Sequence, residues 1–208
     1  MIEYVFAHDP DDRIVAKACE LLREGHLIVA PTDTNWVFLG DPFRKNTVEK
    51  LYQIKGVEKD HHFSLLCSDF SMASELAIIP DSAFKLIRNK IPGHYTFIFE
   101  ASKKVTKTLK ASKSDRQIGL RFVPEVLITR LIDKLGGPLI STQVDEKALG
   151  RTLVGEPIYS YEIEESLGSS LAMIIDPGEV EFAGASTIYD LRAEHMALVR
   201  EGRGELLF

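Results

Sequence analysis

The stretch that most restricts the fold runs from Leu27 to Gly40. Leu27-Ile28-Val29-Ala30 is a short apolar run rich in β-branched residues, the pattern of a buried strand, and Pro31 stops it because proline has no N–H for the ladder. Thr32, Asp33 and Thr34 then place two hydroxyls and a carboxylate just past the strand's carboxyl end, the edge at which open α/β sheets bind ligands. Taken alone, the tripeptide fits either such a site or an Asx or hydroxyl turn that satisfies its own backbone.

The surrounding pattern is α/β. Ile14, Ala18, Leu21 and Leu22 at helical spacing after Asp11-Asp12, with Gly25 behind them, predict a first helix. Asn46 and Glu49 read as a capping box for a second, whose Val48, Leu51 and Tyr52 face inward and whose end delivers Lys55. Lys55 to His62 has no periodicity and predicts a loop, followed by a strand over Phe63–Cys67. Short helices are expected over Ser71–Ala77 and from Asp81 to about Lys90, the latter with Phe84, Ile87 and Ile91 on one side. Tyr95–Phe99 and Gln117–Phe122 read as strands. Pro124 in a first-turn position opens the clearest helix, with Leu127, Ile128, Leu131, Ile132 and Leu135 on its buried face. Strands follow at Pro138–Thr142, Leu171–Ile175, Ser186–Leu191 and Ala197–Arg200, with an acidic helix over Glu156–Leu167. Helices and strands alternate early and strands cluster late, so the fold expected is α/β with a mixed sheet in one domain, residues 1–208.

A net charge of −6 excludes indiscriminate coating of nucleic acid or anionic membrane, so a polyanion site must be local. Residues 1–13 are acidic without an apolar core, and no later run reaches the eighteen or so apolar residues of a membrane span, so a cytoplasmic protein with no membrane partner is expected. Cys19 and Cys67 are expected as buried free thiols. No zinc spacing, glycine-rich phosphate loop or nucleophile elbow occurs, which argues against a metal site and covalent catalysis.

Several predicted strand ends finish in hydroxyls or guanidinium groups: Thr32 and Thr34, Arg121, Ser141, Thr142 and Gln143, Ser186 and Arg200. If the strands bring them to one cleft, they suit a phosphate or carboxylate. Between Lys103 and Arg121 there are five lysines and two arginines against the single acid Asp115. Lys103, Lys104, Lys107 and Lys110 offer either a solvated basic surface or a contact to an RNA backbone.

Seven segments in order resemble the YrdC/YciO family of threonylcarbamoyl-AMP synthase-like proteins, closest to its YciO branch. Pro31-Thr32-Asp33-Thr34 is similar to its P-T-[DE]-T opening, Lys55 to the lysine of K-x-R, Pro92-Gly93-His94-Tyr95-Thr96 to P-G-x-x-T and Ile118-Gly119-Leu120-Arg121-Phe122 to V-G-x-R-x. Pro138 to Thr142 is similar to the run into S-x-N, Ser186-Thr187-Ile188-Tyr189-Asp190 to S-T-V-x-D, and Val199-Arg200-Glu201-Gly202 to the late R-x-G. The resemblance implies a YrdC/RibB-like twisted mixed sheet with flanking helices and a concave basic cleft. It also implies a reaction of threonine, bicarbonate and ATP with Mg2+, in which a threonine carbamate attacks the α-phosphate and pyrophosphate leaves, serving threonylcarbamoyladenosine formation in tRNA. Lys55 would then be the catalytic residue, and Thr32, Thr34, Arg121, Ser141, Thr142, Gln143, Asp145, Ser186 and Arg200 the binding residues. The chain departs from the synthase pattern at Val57, where K-x-R has arginine, at Gln143 and Asp145, where S-x-N has serine and asparagine, and at Trp36 and Val37 after the opening motif. The alternative is a non-catalytic binder of double-stranded RNA or tRNA.

Overall fold

In a computed structural model, residues 1–58, 61–103, 105, 116–151, 155–192 and 196–208 are described. The strands are β1 (Ile2–Tyr4), β2 (Ile28–Pro31), β3 (Trp36–Gly40), β4 (Ser64–Leu66), β5 (Ala77–Ile78), β6 (Tyr95–Ala101), β7 (Gln117–Arg121), β8 (Leu139–Gln143), β9 (Met173–Asp176), β10 (Thr187–Asp190) and β11 (Ala197–Arg200). They form one mixed sheet in the order β1-β9-β2-β3-β8-β4-β7-β6-β10-β11, with β5 paired to β6. The pairs β1/β9, β2/β9, β4/β7 and β6/β10 are parallel, and others such as β2/β3 and β3/β8 are antiparallel. The mixed α/β architecture expected from the pattern is the one observed.

The period of two along each strand divides the residues between the two faces. Leu27 and Val29 point into one core with Trp36, Phe38, Leu65, Phe97, Leu120 and Tyr189. Ile28 and Ala30 point into the other, with Val37, Leu39, Leu66, Leu139 and Met173. Burial on both faces explains why residues 27–30 read as a continuous apolar run rather than an alternating one. Helices α1 (Asp12–Arg23) and α5 (Val126–Leu135) cover the second face through Val15, Ala18, Cys19 and Leu22 on one and Leu127, Ile128, Leu131 and Ile132 on the other. Asp11 caps α1 by accepting from the Arg13 N–H, and Gly25 follows it at φ 85°. Both cysteines are free and buried. Burial pushes the Cys67 thiol up to about 12 and raises that of Cys19. No helix among the described residues is long and apolar enough to cross a membrane.

Several local expectations are corrected. Pro31 remains in the ladder opposite Trp36, because β2 and β3 form a hairpin that closes through the Thr32 N–H donating to Asn35 O (2.9 Å). Asn46 is not a cap: the N-cap of α2 (Lys45–Lys55) is Arg44, whose carbonyl accepts from Thr47 and Val48. α3 (Phe70–Leu76) is capped by Asp69, and α4 (Asp81–Ile87) follows Pro80 with Phe84 outward, its ring edge against Phe70 at 4.8 Å. Pro124 precedes the N-cap of α5, Glu125. The acidic helix, α6, is confined to Ser160–Leu167. β1, β3 and β5 have no counterpart among the expected strands.

Candidate functional site

α1 and α5 cover only part of the second face. Over β4, β6, β7, β8 and β10 that face is polar, and the residues alternating with buried Leu65, Phe97, Leu120, Ile140 and Tyr189 are Ser64, Thr96, Arg121, Ser141, Gln143 and Ile188. They line a cleft of about 220 Å³, closed at its rim by Thr34, Ser186 and Arg200. A Cβ on Gly119 would come within 3.1 Å of Ser64 Oγ and 3.3 Å of a Thr96 methyl. Glycine in the V-G-x-R-like segment therefore keeps the floor of the cleft open.

Arg121, at the end of β7, is buried. It donates through Nη2 to Asp33 Oδ1 (2.5 Å) and through Nη1 to Thr34 Oγ1 (3.2 Å). Asp33 is equally buried, and its second oxygen takes His94 Nδ1 at 2.7 Å. Thr32 Oγ1 lies 3.1 Å from both Thr34 Oγ1 and Asn35 O, completing the turn. Close to Asp33 lies the carboxyl of Glu125, the N-cap residue of α5. Burial, reinforced by Asp33, pushes the Glu125 carboxyl up to about 7. Its Oε2 is buried without a hydrogen-bond partner, as is Arg121 Nε.

The second guanidinium comes from β11. Arg200 donates through Nη2 and Nε to Ser186 O (2.7 and 3.1 Å) and through Nη2 to Ser186 Oγ (3.1 Å), which lies 2.8 Å from Thr96 Oγ1. No carboxylate pairs with Arg200 among the described residues. Burial, and secondarily nearby Arg121, draw its guanidinium below the ordinary value. Gly202 makes this contact possible: a Cβ there would lie 2.3 Å from Ala185 O and 2.6 Å from Ser186 C. Its N–H meets Thr187 Oγ1 at 3.1 Å.

Lys55 ends α2 and is buried. Its Nζ is ion-paired and hydrogen-bonded to Asp145 Oδ2 and donates to Gln143 O at 3.0 Å. Asp145 Oδ1 accepts from the Ala148 N–H at 2.9 Å. Burial pushes the Asp145 carboxyl up, but the Lys55 and Ala148 hydrogen bonds outweigh it and hold the group below its usual value.

The structure thus brings Thr34, Arg121, Ser141, Thr142, Gln143, Ser186 and Arg200 to one cleft, with Thr32 buried directly behind Thr34. Lys55 and Asp145 stand behind Gln143, outside the lining. Lys104, Lys107 and Lys110 lie outside the described residues, while Lys103 is described and does not line the cleft. His94, Thr96 and Glu125 were not singled out as site residues, and Asp33 entered only as the carboxylate of the opening tripeptide. The signal for Asp33 was its place inside the opening motif, and for His94 and Thr96 their place in Pro92–Thr96. No group of three His, Cys, Asp or Glu side chains suited to a metal ion occurs among the described residues.

The geometry defines a mixed α/β protein with a small, hydroxyl-lined, cationic cleft on the open half of its sheet. Residues 20–202 match the family model for Sua5, YciO and YrdC, described as "Telomere recombination", and the chain belongs to this family. An uncharacterized protein of Haemophilus influenzae is 32% identical over 97% of this chain and 95% of its own length. The uncharacterized protein YciO of Escherichia coli is 30% identical over 98% and 96%. The crystal structure of E. coli YciO superimposes with a TM-score of 0.85, at 29% identity, covering 99% of this chain and 97% of that one. More distantly, Pyrococcus abyssi Sua5 complexed with L-threonine shares the fold with a TM-score of 0.84 at 23% identity, covering 97% of this chain and 57% of its own.

Proposed function

We propose that the protein is a YciO-type member of the family whose cleft binds a nucleotide through its phosphate and retains threonylcarbamoyl-AMP synthase-like chemistry. The observation that carries this reading is the convergence of Arg121 and Arg200 with the hydroxyls of Thr34, Thr96, Ser141 and Ser186 in one cleft, a donor set matched to phosphate oxygens. The P. abyssi relative named threonylcarbamoyl-AMP synthase, 24% identical over 89% of this chain and 53% of its own length, supports the choice of reaction. On this reading Arg200 neutralises the phosphoryl oxygens, Arg121 is held in register by Asp33 and Thr34, and Ser186 and Thr96 orient the group. Magnesium would enter with the nucleotide, because Asp33 and Asp145 are already committed to Arg121 and Lys55.

With Lys55 bound to Asp145 and Val57 in place of a second cation, the turnover expected is low. Removing one preorganised donor from such a site typically costs on the order of 10² to 10³ in rate. Thermal unfolding with AMP, ATP plus magnesium, threonine or tRNA tests binding, since a ligand selective for the folded state raises the midpoint. Incubation with threonine, bicarbonate, ATP and magnesium, followed by measurement of pyrophosphate and the adenylate, tests the chemistry. A nucleotide-dependent stabilisation supports the reading, and its absence at millimolar ligand overturns it. Absence of pyrophosphate at high protein concentration removes the catalytic half.

A further inference from the structure

The reaction proposed for the cleft has to dispose of a proton, and the cleft holds a group suited to take it. Threonine arrives as an ammonium ion, and its nitrogen becomes nucleophilic only after a proton leaves. Among the described residues lining the cleft, the polar side chains are hydroxyls, the Gln143 amide, the Arg121 and Arg200 guanidinium groups and the His62 imidazole. Of these, the imidazole is the one that accepts a proton near neutral pH. The chain holds His62 in place from both sides. Before it, the Tyr52 hydroxyl donates to His61 O (3.1 Å) and the His61 N–H donates to Glu58 O (3.0 Å). After it, Phe63 is buried against the rings of Tyr52 and His61 at 4.8 and 5.1 Å, and Ser64 opens β4 in the ladder between Gly119 of β7 and Ser141 of β8. With Phe63 turned into the core, His62 and Ser64 both come to the cleft side.

We infer that His62 is the proton acceptor for the threonine ammonium in the carbamate-forming step. The inference rests on the threonylcarbamoyl-adenylate chemistry proposed for the cleft. His62 takes one proton from the ammonium. The amine nitrogen then bonds the bicarbonate carbon as the C–OH bond breaks, and the departing hydroxide leaves as water with a second nitrogen proton. The carbamate oxygen attacks the α-phosphorus of ATP and the bond to pyrophosphate breaks, with no further proton to place. His62 is exposed, so the proton it has taken passes to solvent. The titratable and charged groups around it are Arg121 of β7 and Arg200 of β11 in the cleft, and Glu58 and His61 on its own segment. Further back stand the Lys55–Asp145 pair behind Gln143, and Asp33 with His94 and Glu125 beyond Arg121. Residues 59 and 60 lie outside the described residues.

The experiment follows pyrophosphate release from saturating threonine, bicarbonate, ATP and magnesium between pH 5.5 and 8, for the wild type and His62→Gln, with AMP binding to both measured by calorimetry. The substrates ionise alike for the two proteins, so the ratio of their turnover isolates His62. That ratio is expected to rise about tenfold across this range, in which an imidazole gives up its proton. At pH 8 it should reach about 10² or more, while AMP affinity stays within about twofold. A flat ratio overturns the inference. So does a ratio that falls with rising pH together with weaker AMP binding, because that sign belongs to an imidazolium holding a phosphate. Either result leaves the cleft reading standing. A wild type that binds AMP but releases no pyrophosphate removes the inference along with the catalytic half of that reading, and one that binds neither AMP nor ATP removes the cleft reading itself. Thermal unfolding shows whether His62→Gln is folded. If it is not, His62→Ala with added imidazole decides: free imidazole base should raise its turnover about fivefold or more, and no rise overturns the inference.

Discussion

Glu125 offers the most direct test of the electrostatics beneath the cleft. Burial and the neighbouring Asp33 raise its carboxyl from an ordinary 4.5 to about 7, so between these values the folded chain keeps a proton on Glu125 that the unfolded chain has released. The stabilisation is complete below pH 4.5 and is lost as pH rises through about 7. At about 1.4 kcal/mol per pH unit the ceiling is about 3 kcal/mol. Glu125 is only partly buried, and screening by solvent reduces the expected effect to about 1–2 kcal/mol. Glu125→Gln keeps the side chain neutral at every pH and nearly the same in size. Urea unfolding of both proteins at pH 5, 6, 7 and 8 should show the wild type losing about 1–2 kcal/mol relative to the variant over that range, with unchanged m. Every other titrating group is common to the two proteins and cancels in the difference. Parallel pH profiles would refute the reasoning, since they would mean that Glu125 is ionised throughout.

Three further outcomes are expected. Asp33→Asn leaves Arg121 charged and buried without its partner and should cost about 3–5 kcal/mol in urea unfolding; a loss below about 1 kcal/mol would show that the Thr34 contact suffices. Gly202→Ala places a methyl against the Ala185–Ser186 backbone and should destabilise by about 1–3 kcal/mol, with a matching loss of anion binding as Arg200 is displaced; an unaltered midpoint and affinity would argue against that close approach. Cys19 and Cys67 should react with an aromatic disulfide reagent only after denaturation, because both are buried with raised thiol values; rapid labelling of the folded protein would contradict this.

The parts of the fold legible in the sequence are those whose partners lie along the same helix or strand. The apolar stripe of α5, the Gly136 stop at φ 77° and the buried strand after α1 follow from spacing alone. β1 and β5 are too short for a period of two to declare itself, and β3 is buried at every position, so its hairpin with β2 shows no alternation. The cleft was legible in part as polar strand ends: Arg121, Gln143 and Arg200 close β7, β8 and β11, whereas Thr34 lies in the β2–β3 turn and Ser186 just ahead of β10. What spacing does not contain is how charges divide among partners. Asp33 beside two threonines reads as a group facing a ligand, yet it is buried against Arg121, 88 residues away, and His94, 61 residues away. Lys55 reads as a free cation for the same reason: its partner Asp145 is 90 residues away and follows a different strand.

The strand order carries a consequence for how the chain reaches this state. β9 lies between β1 and β2, pairing in parallel with both, so two strands from the first 31 residues are joined only through residues 173–176. A nascent chain that has emerged as far as α5 holds an open slot along β2 and an N-terminal strand with nowhere to dock. Sheet completion therefore waits for nearly the whole chain, and pairings of such long sequence separation are slow to form and expose unpaired edges meanwhile. Arg200 follows β9 in the chain, so the rim of the cleft that it forms is synthesised after the strand that joins β1 to β2.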